Sequence, residues 1–406
     1  MSIDQRPILI AGGGIGGFAA ALALTKQGFK VKVFEQAPEI GEIGAGIQLG
    51  PNAFHAFDAL GIGEIARGKA VYTDYMVMHD ALDEYQVGKI PTDEHFRERF
   101  GNPYAVIHRA DIHGSLVEGA AKVGDLEVIT DCRIQSVSQT EDEVSITDQH
   151  GNTYVGQALI GADGVKSVVR ETLVGDPALV TGHVVYRAVV PKNEFPDNLK
   201  WNAASIWVGP NCHLVHYPLR GGEEYNVVVT FHSRQQEEWG VTDGSKEEVL
   251  SYFEGICPKA RQLIELPKCW KRWATADREP ISQWTFGRIT LLGDAAHPTT
   301  QYMAQGACMA LEDAVTLGEA LRVCNNDIHQ AFDLYQKSRI SRTARIVLSS
   351  REMGKLYHAH GVQRLIRNDL WRGRSAERFY DAMEWLYGWK VENCLVAAQH
   401  FQGKVA

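Results

Sequence analysis

The feature that most constrains this chain is a glycine-rich turn at residues 12–17, with the sequence GGGIGG. The apolar residues before it predict a buried parallel strand, and the alanine- and leucine-rich run after it has helical periodicity. A strand, a tight turn and a helix in this order form a dinucleotide site, because the amino end of the helix offers N–H groups and a positive dipole end to a diphosphate. The alternative is a turn that is merely tight and binds nothing.

Three glycines and one acid have separate expected roles in this unit. Gly12 permits the turn, Gly14 lets the backbone approach the diphosphate, and Gly17 allows the helix and the strand to pack closely. The second predicted strand ends at Glu35, which is placed to accept a hydrogen bond from a ribose hydroxyl. Because this carboxylate would repel a 2′-phosphate, the site favours FAD or NAD over NADP.

Length and charge narrow the class of protein. The 406 residues exceed the ~250–300 that one hydrophobic core usually holds, so we expect two domains or interleaved subdomains. The 41 basic and 50 acidic residues give a net charge of −9 without a basic run, so nucleic acid is not an expected partner. No apolar run approaches the ~20 residues of a membrane span and no leader precedes the first strand, so we expect a cytoplasmic protein.

Cysteine and histidine patterns indicate neither a disulfide framework nor a metal site. The seven cysteines are odd in number and scattered, without a CxxC pair. The fifteen histidines include no HExxH sequence. We place His358 and His360 on a helix, where side chains two residues apart diverge, and therefore expect no metal.

Two later segments repeat the pattern of a strand entering a turn. Residues 158–170 carry Asp163 in the turn, where its carboxylate can accept a hydrogen bond from a cofactor or hold Arg170. In residues 287–298, a predicted strand likewise leads into a turn, which carries Asp294. A helix led by Gly306 follows, and its first N–H groups can face a developing negative charge such as that of a reduced flavin ring.

Two segments between these turns are also candidates for ligand contact. Residues 41–52 hold four glycines, which indicates backbone pressed against a flat or bulky ligand; the alternative is a solvent loop. Arg109 lies where a strand meets a helix. Its guanidinium can reach a phosphate or a ribityl chain, or it can form a salt bridge with an acid such as Asp111.

The middle of the chain changes architecture. Residues 184–190, 204–208, 213–217 and 225–231 predict strands joined by short turns, which is typical of an antiparallel sheet that would cover the substrate. The residues after the Gly306 helix have apolar spacing near 3.6 and predict a helical cap or a dimer surface.

The three turns together resemble one family, the single-component FAD-dependent aromatic hydroxylases, also called group A flavoprotein monooxygenases. The likeness covers nearly the whole chain. It implies an α/β fold in which a Rossmann-like FAD-binding domain is interleaved with an antiparallel-sheet substrate domain, with a C-terminal helical region. The implied segments are FAD-binding at 1–70, 103–183 and 276–345, an excursion toward the substrate domain at 71–102, the substrate domain at 184–275, and C-terminal helices at 346–406.

The resemblance also implies the cofactor, the co-substrates and the residues that meet them. FAD is the bound cofactor, NADH is favoured over NADPH as the electron donor, and O2 reacts to give a flavin C4a-hydroperoxide that transfers electrophilic oxygen to a small aromatic acid. The residues expected at the cofactor are Gly12, Gly14, Ile15, Gly16, Gly17, Glu35, Gly44, Ala45, Gln48, Arg109, Asp163, Asp294, Gly306, Ala307 and Cys308.

Within the family, the chain is most similar to members that hydroxylate 3-hydroxybenzoate para to its phenol, giving 2,5-dihydroxybenzoate (gentisate). Residues 208–222 carry part of that likeness, and Gln301 carries another part, since many relatives have proline there. It implies that His213 and Gln301 bind and activate the phenol. Tyr217, on the same strand face as His213, is expected to bind substrate. Taken alone, without the resemblance, His213 favours an ordinary buried strand histidine over a catalytic one, because neutral buried histidine is common.

Other functions stay open at this level. A decarboxylating salicylate hydroxylase, which forms catechol, would use the same cofactor. A flavin-binding redox sensor or an oxidase without an aromatic substrate is a second possibility, and an NAD-dependent dehydrogenase is a third, disfavoured by the second and third turns. A homodimer is compatible with all of them.

Overall fold

The parallel sheet predicted around the first turn is present in the protein, whose computed structural model describes residues 5–41 and 45–395. Its strands are β1 (Ile8–Ala11), β2 (Val31–Phe34), β8 (Leu126–Ile129), β12 (Ala158–Gly161), β19 (Thr285–Phe286) and β20 (Ile289–Leu291). Their order is β19-β20-β12-β1-β2-β8, and every neighbouring pair except β19 and β20 is parallel. The carboxyl ends of β20, β12, β1 and β2 therefore lie side by side, which brings the three turns and Glu35 to one edge.

A larger sheet confirms the antiparallel region and extends it. Its strands are β5 (Tyr75–Asp80), β6 (Gln86–Pro91), β13 (Leu179–Pro191), β14 (Ala203–Gly209), β15 (Cys212–Leu219), β16 (Glu224–His232), β17 (Gly240–Gly244) and β18 (Trp270–Asp277). Their order is β17-β18-β13-β16-β15-β14-β5-β6, and only the β14–β5 pair is parallel among these strands. Sequence analysis did not predict β17 and β18, because neither has the clear apolar alternation of β13 to β16.

Two small sheets of three strands each complete the β structure of the described residues. One consists of β3 (Gly46–Leu49), β4 (Val71–Tyr72) and β7 (Ala105–His108), in the order β3-β7-β4. The other is antiparallel and consists of β9 (Ile134–Gln139), β10 (Val144–Asp148) and β11 (Thr153–Gly156). The first of them places the end of the glycine-rich loop beside the strand that leads into Arg109.

The helices pack on both sheets. Their bounds are α1 (Ile15–Lys26), α2 (Pro51–Leu60), α3 (Gly63–Lys69), α4 (Glu94–Phe100), α5 (Arg109–Ala120), α6 (Val168–Leu173), α7 (Lys246–Tyr252), α8 (Pro258–Glu265), α9 (Gly306–Val323), α10 (Ile328–Tyr357), α11 (Gly361–Leu370) and α12 (Ala376–Tyr387). Helices α1 and α9 pack against each other, and their buried Phe18, Leu22, Leu311 and Leu317 belong to one apolar core. This contact fixes the first turn relative to the third.

The structure corrects two expectations about helices. Residues 246–265, inside the region predicted to be rich in strands, form α7 and α8. His358 and His360 do not lie on a helix, because α10 ends at Tyr357 and α11 begins at Gly361. Helices do dominate the chain after α9, as predicted, as far as Tyr387. Within the described ranges, no helix is both long enough and apolar enough to cross a membrane.

Candidate active site

The first turn has the geometry of a diphosphate cradle. Gly12 has a φ of +100°, and a side chain there would overlap the carbonyl oxygen of Ala162. A side chain at Gly17 would overlap the carbonyl of Gly12, so this position must be glycine for α1 to pack on β1. A Cβ added at Gly14 meets no atom within 4 Å. The space in front of Gly14, at the amino end of α1, therefore suits a phosphate group.

Glu35 closes the same turn. Its Oε2 accepts a hydrogen bond from the N–H of Gly13 at 2.8 Å, and its Oε1 accepts one from the N–H of Ala37 at 2.8 Å. A carboxylate has about four acceptor positions, so each oxygen keeps one for a further donor. The expected ribose contact stays a prediction that this geometry permits.

The second turn is held by Asp163, but not through Arg170. Asp163 Oδ2 accepts hydrogen bonds from the N–H groups of Val168 at 2.8 Å and Val169 at 3.3 Å. Its Oδ1 is buried and accepts no hydrogen bond from any described residue, and burial raises the pKa of this carboxyl group. A hydrogen-bond donor on a bound cofactor would satisfy that oxygen.

Arg170 has other partners, so the alternative that Asp163 holds Arg170 is wrong. The Arg170 guanidinium pairs with Asp176, with distances of 2.8 Å from Nε to Oδ1 and 2.6 Å from Nη2 to Oδ2. Its Nη1 donates to the carbonyl of Ala296 at 2.7 Å. Arg170 therefore ties the second turn to the third.

The third turn rests on a buried ion network that sequence analysis missed. The N–H of Gly293 donates to Oδ2 of Asp313 at 3.0 Å, and His297 Nε2 lies 2.6 Å from the same oxygen. Arg339 Nε donates to Oδ1 of Asp313 at 2.6 Å. Burial would raise the pKa of Asp313, but His297 and Arg339 outweigh it and hold the pKa at about 2. These buried contacts fix the turn that carries Asp294.

Glu312 extends this network to the glycine-rich loop. Its Oε2 accepts from Arg339 Nη1 and Arg342 Nε, each at 2.7 Å, and its Oε1 accepts from Asn52 Nδ2 at 2.6 Å. Two adjacent acids inside an apolar stretch of α9 are the sequence signal that could have revealed this network, because an acid that is fully buried needs a cationic partner.

The glycine-rich loop is packed against protein side chains at two positions. A side chain at Gly46 would meet the ring of Tyr217 and the amide group of Asn226, and one at Gly50 would meet Tyr387. Packing against protein side chains, and not a solvent loop, therefore explains these two glycines. Gly46 also lines the cavity, so contact between this loop and a ligand stays a prediction. Gly44 lies outside the described residues. The carbonyl of Ala45 accepts a hydrogen bond from the N–H of Arg109 at 2.8 Å.

One cavity of about 1400 Å³ joins the turns to the large sheet. The predicted site residues that line it are Gly14, Ile15, Gly16, Gln48, Arg109, His213, Tyr217, Asp294, Gln301, Gly306 and Ala307. The described site residues that do not line it are Gly12, Gly17, Glu35, Ala45, Asp163 and Cys308.

Two walls of the cavity differ in construction, and residues of α10 and α12 line much of the remainder. We call the turns at residues 12–17, 162–164 and 292–294, together with the start of α9, the turn wall. Gly306 and Ala307 present the amino end of α9 to the cavity, whereas the Cys308 thiol is buried 3.8 Å from the carbonyl of Ala304. Burial raises the pKa of this thiol to about 12, so it stays protonated and any role of Cys308 at the cofactor is confined to its N–H.

We call the opposite surface the sheet wall. It is formed by the residues of β13, β15 and β16 that face the cavity and by Gln301. His213 and Tyr217 of β15 both line the cavity, which confirms that they share a strand face. Thr230 of β16 lies opposite His213, and Gln301 Nε2 donates to Thr230 Oγ1 at 3.4 Å. Thr230, which sequence analysis missed, therefore brings Gln301 to the His213 end of the wall.

His213 is a neutral base at the cavity surface. The residue is only 3 % exposed, and burial, with a smaller contribution from His183, lowers its pKa to about 3. Its Nδ1 lies 2.8 Å from Nε2 of His358. Its Nε2 is therefore the ring nitrogen left to meet a ligand in the cavity.

Arg187 is a second residue that sequence analysis missed. It lies on β13 opposite Val228, which in turn lies opposite Val215, so its side chain belongs to the row between those of His213 and Tyr217. Arg187 lines the cavity and forms no ion pair within the described ranges. Burial lowers the pKa of its guanidinium, but an arginine remains charged at neutral pH. The cavity thus offers a cation to an anionic ligand.

The cradle, the acid-bearing turns and the sheet wall define a flavin-dependent enzyme. A family model described as "FAD binding domain" matches residues 5–350, so the chain belongs to this family. The predicted resemblance to FAD-dependent aromatic hydroxylases is confirmed by two curated relatives. The chain is 77% identical to 3-hydroxybenzoate 6-hydroxylase of Polaromonas naphthalenivorans (strain CJ2), over 96% of this chain and 97% of the relative. It is 60% identical to the enzyme of that name from Klebsiella oxytoca, over 96% and 98%.

Solved structures agree with this assignment. Klebsiella pneumoniae HpxO complexed with FAD and uric acid has a TM-score of 0.83 and 25% identity, covering 95% of this chain and 98% of that one. A salicylate hydroxylase substrate complex has a TM-score of 0.80 and 26% identity, covering 97% and 98%. The α/β fold and FAD as the cofactor are thereby confirmed.

Proposed function

We propose that this enzyme hydroxylates 3-hydroxybenzoate para to its phenol and releases 2,5-dihydroxybenzoate, with NADH as electron donor and O2 as oxygen source. The observation that carries the proposal is the neutral His213 at the cavity surface, beside Gln301 and in the same wall as Arg187. The two relatives described above bear the name of this activity, and their identity with the chain extends over nearly its full length.

The turn wall supports FAD through its own geometry. The open space at Gly14 would receive the diphosphate, Glu35 a ribose, and Asp294 the ribityl chain, while Arg109 and the amino end of α9 would face the rest of the cofactor. When bound and reduced, FAD supplies oxygen from O2 in an electrophilic form. The protein must then make the aromatic ring a better nucleophile.

The sheet wall supports a hydroxybenzoate in one orientation. His213 and Tyr217 lie four residues apart, about 13 Å between Cα atoms at ~3.3 Å per residue, which leaves room for one aromatic ring between their side chains. The phenol would lie at His213 Nε2 and Gln301, and the carboxylate at Tyr217 and Arg187. Arg187 pairs with the carboxylate more strongly than a neutral donor could.

Removal of the phenolic proton selects the site of attack. As the proton moves to His213 Nε2, electron density rises on the ring carbons ortho and para to the oxygen. The para carbon of 3-hydroxybenzoate is carbon 6, next to the carbon that bears the carboxylate. General-base assistance of this type contributes about 10²–10⁴-fold to a rate.

Product identification tests the proposal. We expect the purified enzyme, with NADH and 3-hydroxybenzoate, to form 2,5-dihydroxybenzoate without release of carbon dioxide. Catechol and carbon dioxide from salicylate would instead support the second candidate, a salicylate hydroxylase, which the solved structure of that name favours. If no aromatic acid in a panel of hydroxybenzoates accelerates NADH oxidation, the proposal fails. A parallel series with NADPH in place of NADH tests which of the two is the electron donor.

The division into six segments, a homodimer and a cytoplasmic location remain part of this proposal. Gel filtration coupled to light scattering would measure the oligomeric state.

A further inference from the structure

A second cavity lies behind the sheet wall at His213. It has a volume of about 570 Å³ and is lined by four histidines, His183, His232, His358 and His360. Tyr302 lines both cavities, so the two are separated only by a thin layer of side chains. This layer contains His213 and His358, whose rings are joined by the 2.8 Å contact between His213 Nδ1 and His358 Nε2.

His358 is held in place from two sides. Its carbonyl accepts a hydrogen bond from the N–H of Asn211 at 3.1 Å, in the turn that leads into β15. The carbonyl of Tyr357 accepts from Nη1 of the buried Arg367 at 3.2 Å. The position where α10 ends is therefore tied to the strand that carries His213, which keeps the two rings in register.

Tyr302 steadies the pair without lying between them. Its hydroxyl lies 2.6 Å from Nδ1 of His183, and its ring centroid is 5.4 Å from that of His213 and 5.6 Å from that of His358. We assign Tyr302 and His183 a positioning role, because neither is hydrogen-bonded to His213 or His358 in the described part of the chain.

We propose that His213 and His358 form a relay that carries the phenolic proton from the active-site cavity to water in the second cavity. The inference rests on the proposed function. The phenol O–H bond breaks as a proton binds His213 Nε2; the proton on His213 Nδ1 passes to His358 Nε2; and the proton on His358 Nδ1 passes to water. Each ring receives one proton and loses one. When the product regains its aromatic ring, the C–H bond at carbon 6 breaks and its proton leaves to water. The reverse relay then returns a proton to the oxygen and restores the starting tautomers.

Burial explains why His213 needs a partner. A base with a pKa of about 3 holds a proton poorly at neutral pH, and burial also lowers the pKa of His358 well below its ordinary value. A relay in which each ring exchanges one proton for another has no buried imidazolium as its end state. It therefore avoids the desolvation cost of a buried charge.

The test uses His358→Gln in the FAD-loaded enzyme, with His360→Ala as the matched control in the same cavity. Glutamine can still accept the hydrogen bond from His213 Nδ1, but it cannot pass a proton on. We expect the variant to retain FAD and reduction by NADH. We expect it to form 2,5-dihydroxybenzoate at least roughly tenfold more slowly in a single turnover, with the ~10²–10⁴-fold of a complete general-base effect as the upper range. More hydrogen peroxide should form per NADH. His360→Ala should match the wild type.

Two measurements separate proton transfer from a structural role. In mixtures of H2O and D2O, the hydroxylation rate of the wild type should vary non-linearly with the deuterium fraction, because more than one proton moves; a linear dependence overturns the relay. Added imidazole should restore hydroxylation to His358→Ala, whose missing ring leaves space open to the second cavity. Failure of that rescue, or wild-type coupling in His358→Gln, also overturns it. A wild-type enzyme that forms no 2,5-dihydroxybenzoate overturns the proposed function itself, which the relay requires.

Discussion

The turn wall and the sheet wall present different parts of the chain to the cavity. The turn wall presents backbone: Gly14 leaves space, α1 and α9 point their amino ends at the cavity, and acids such as Asp163 brace the turns. The sheet wall presents side chains, among them His213 and Arg187, from strands whose register sets their spacing. A cofactor common to many enzymes can be held by backbone, whereas the choice of one substrate depends on side chains that strands can exchange without changing the fold.

The largest expected effect is the loss of FAD after a substitution in the turn wall. Gly14→Val should purify with little or no FAD and no hydroxylase activity, because its side chain fills the space intended for the diphosphate. The protein itself has room for the valine, since no atom lies within 4 Å of an added Cβ. Flavin absorbance per protein would measure FAD content, and a thermal melt would measure the stability of the fold. Gly240→Val, at a strand position that is equally open, is the control. Full FAD content in Gly14→Val would remove this turn from the site.

His213→Ala changes the sheet wall and leaves the turn wall intact. We expect FAD content and reduction by NADH to stay normal while hydroxylation falls about 10²–10⁴-fold and NADH is diverted to hydrogen peroxide. The measurement is 2,5-dihydroxybenzoate formed per NADH consumed, with peroxide quantified. His216→Ala is the control, because His216 is buried on the opposite face of the same strand. Normal coupling in His213→Ala would return His213 to a structural role.

Arg187→Gln tests the cation of the sheet wall. Loss of a charge-assisted hydrogen bond of about 1.5–3 kcal/mol predicts a KM for 3-hydroxybenzoate that is roughly 10- to 100-fold higher, with a smaller change in kcat. Steady-state kinetics at saturating NADH would measure the changes in KM and in kcat separately. A neutral phenol without the carboxylate should bind the variant and the wild type equally. An unchanged KM would place the carboxylate elsewhere.

Asp294→Ala addresses the turn wall with a milder change. We expect FAD to dissociate about tenfold more readily and its reduction to slow, because one or two hydrogen bonds of ~0.5–1.5 kcal/mol each would be lost. Asp294→Asn should retain more of the affinity, since it keeps a hydrogen-bonding group. Fluorescence titration of the apoprotein with FAD would compare them, and equal affinity in all three proteins would exclude Asp294 as a ligand.

Gln301→Ala should have the smallest effect. Gln301 orients the phenol while His213 takes the proton, so its loss removes one neutral hydrogen bond and predicts a fall in coupled hydroxylation of roughly 2- to 10-fold. The same coupling assay applies. An effect larger than that of His213→Ala would reverse the roles of the two residues.

Local patterns in the sequence predicted the three turns of the turn wall, but not the buried ion network that supports the third turn. Each of its three turns follows a short apolar strand, and the glycines and acids that shape the turn lie within about twenty residues of that strand. The strands β13 to β16 were also predictable, because alternating apolar residues report which face is buried. The resemblance then linked these local units to FAD and to an aromatic acid.

The tertiary structure decided which distant side chains meet. The Arg170 guanidinium donates to the carbonyl of Ala296, which is 126 residues away. Arg187 reaches the cavity through the register of β13, and His213 meets His358, which is 145 residues away. No spacing rule predicts such contacts, because strand order and helix packing bring them together rather than local backbone geometry. The sequence by itself determined the three turns and the strands β13 to β16. Only the tertiary contacts of His358 with Asn211 and His213 decided that this one of the fifteen histidines would lie next to the proposed base.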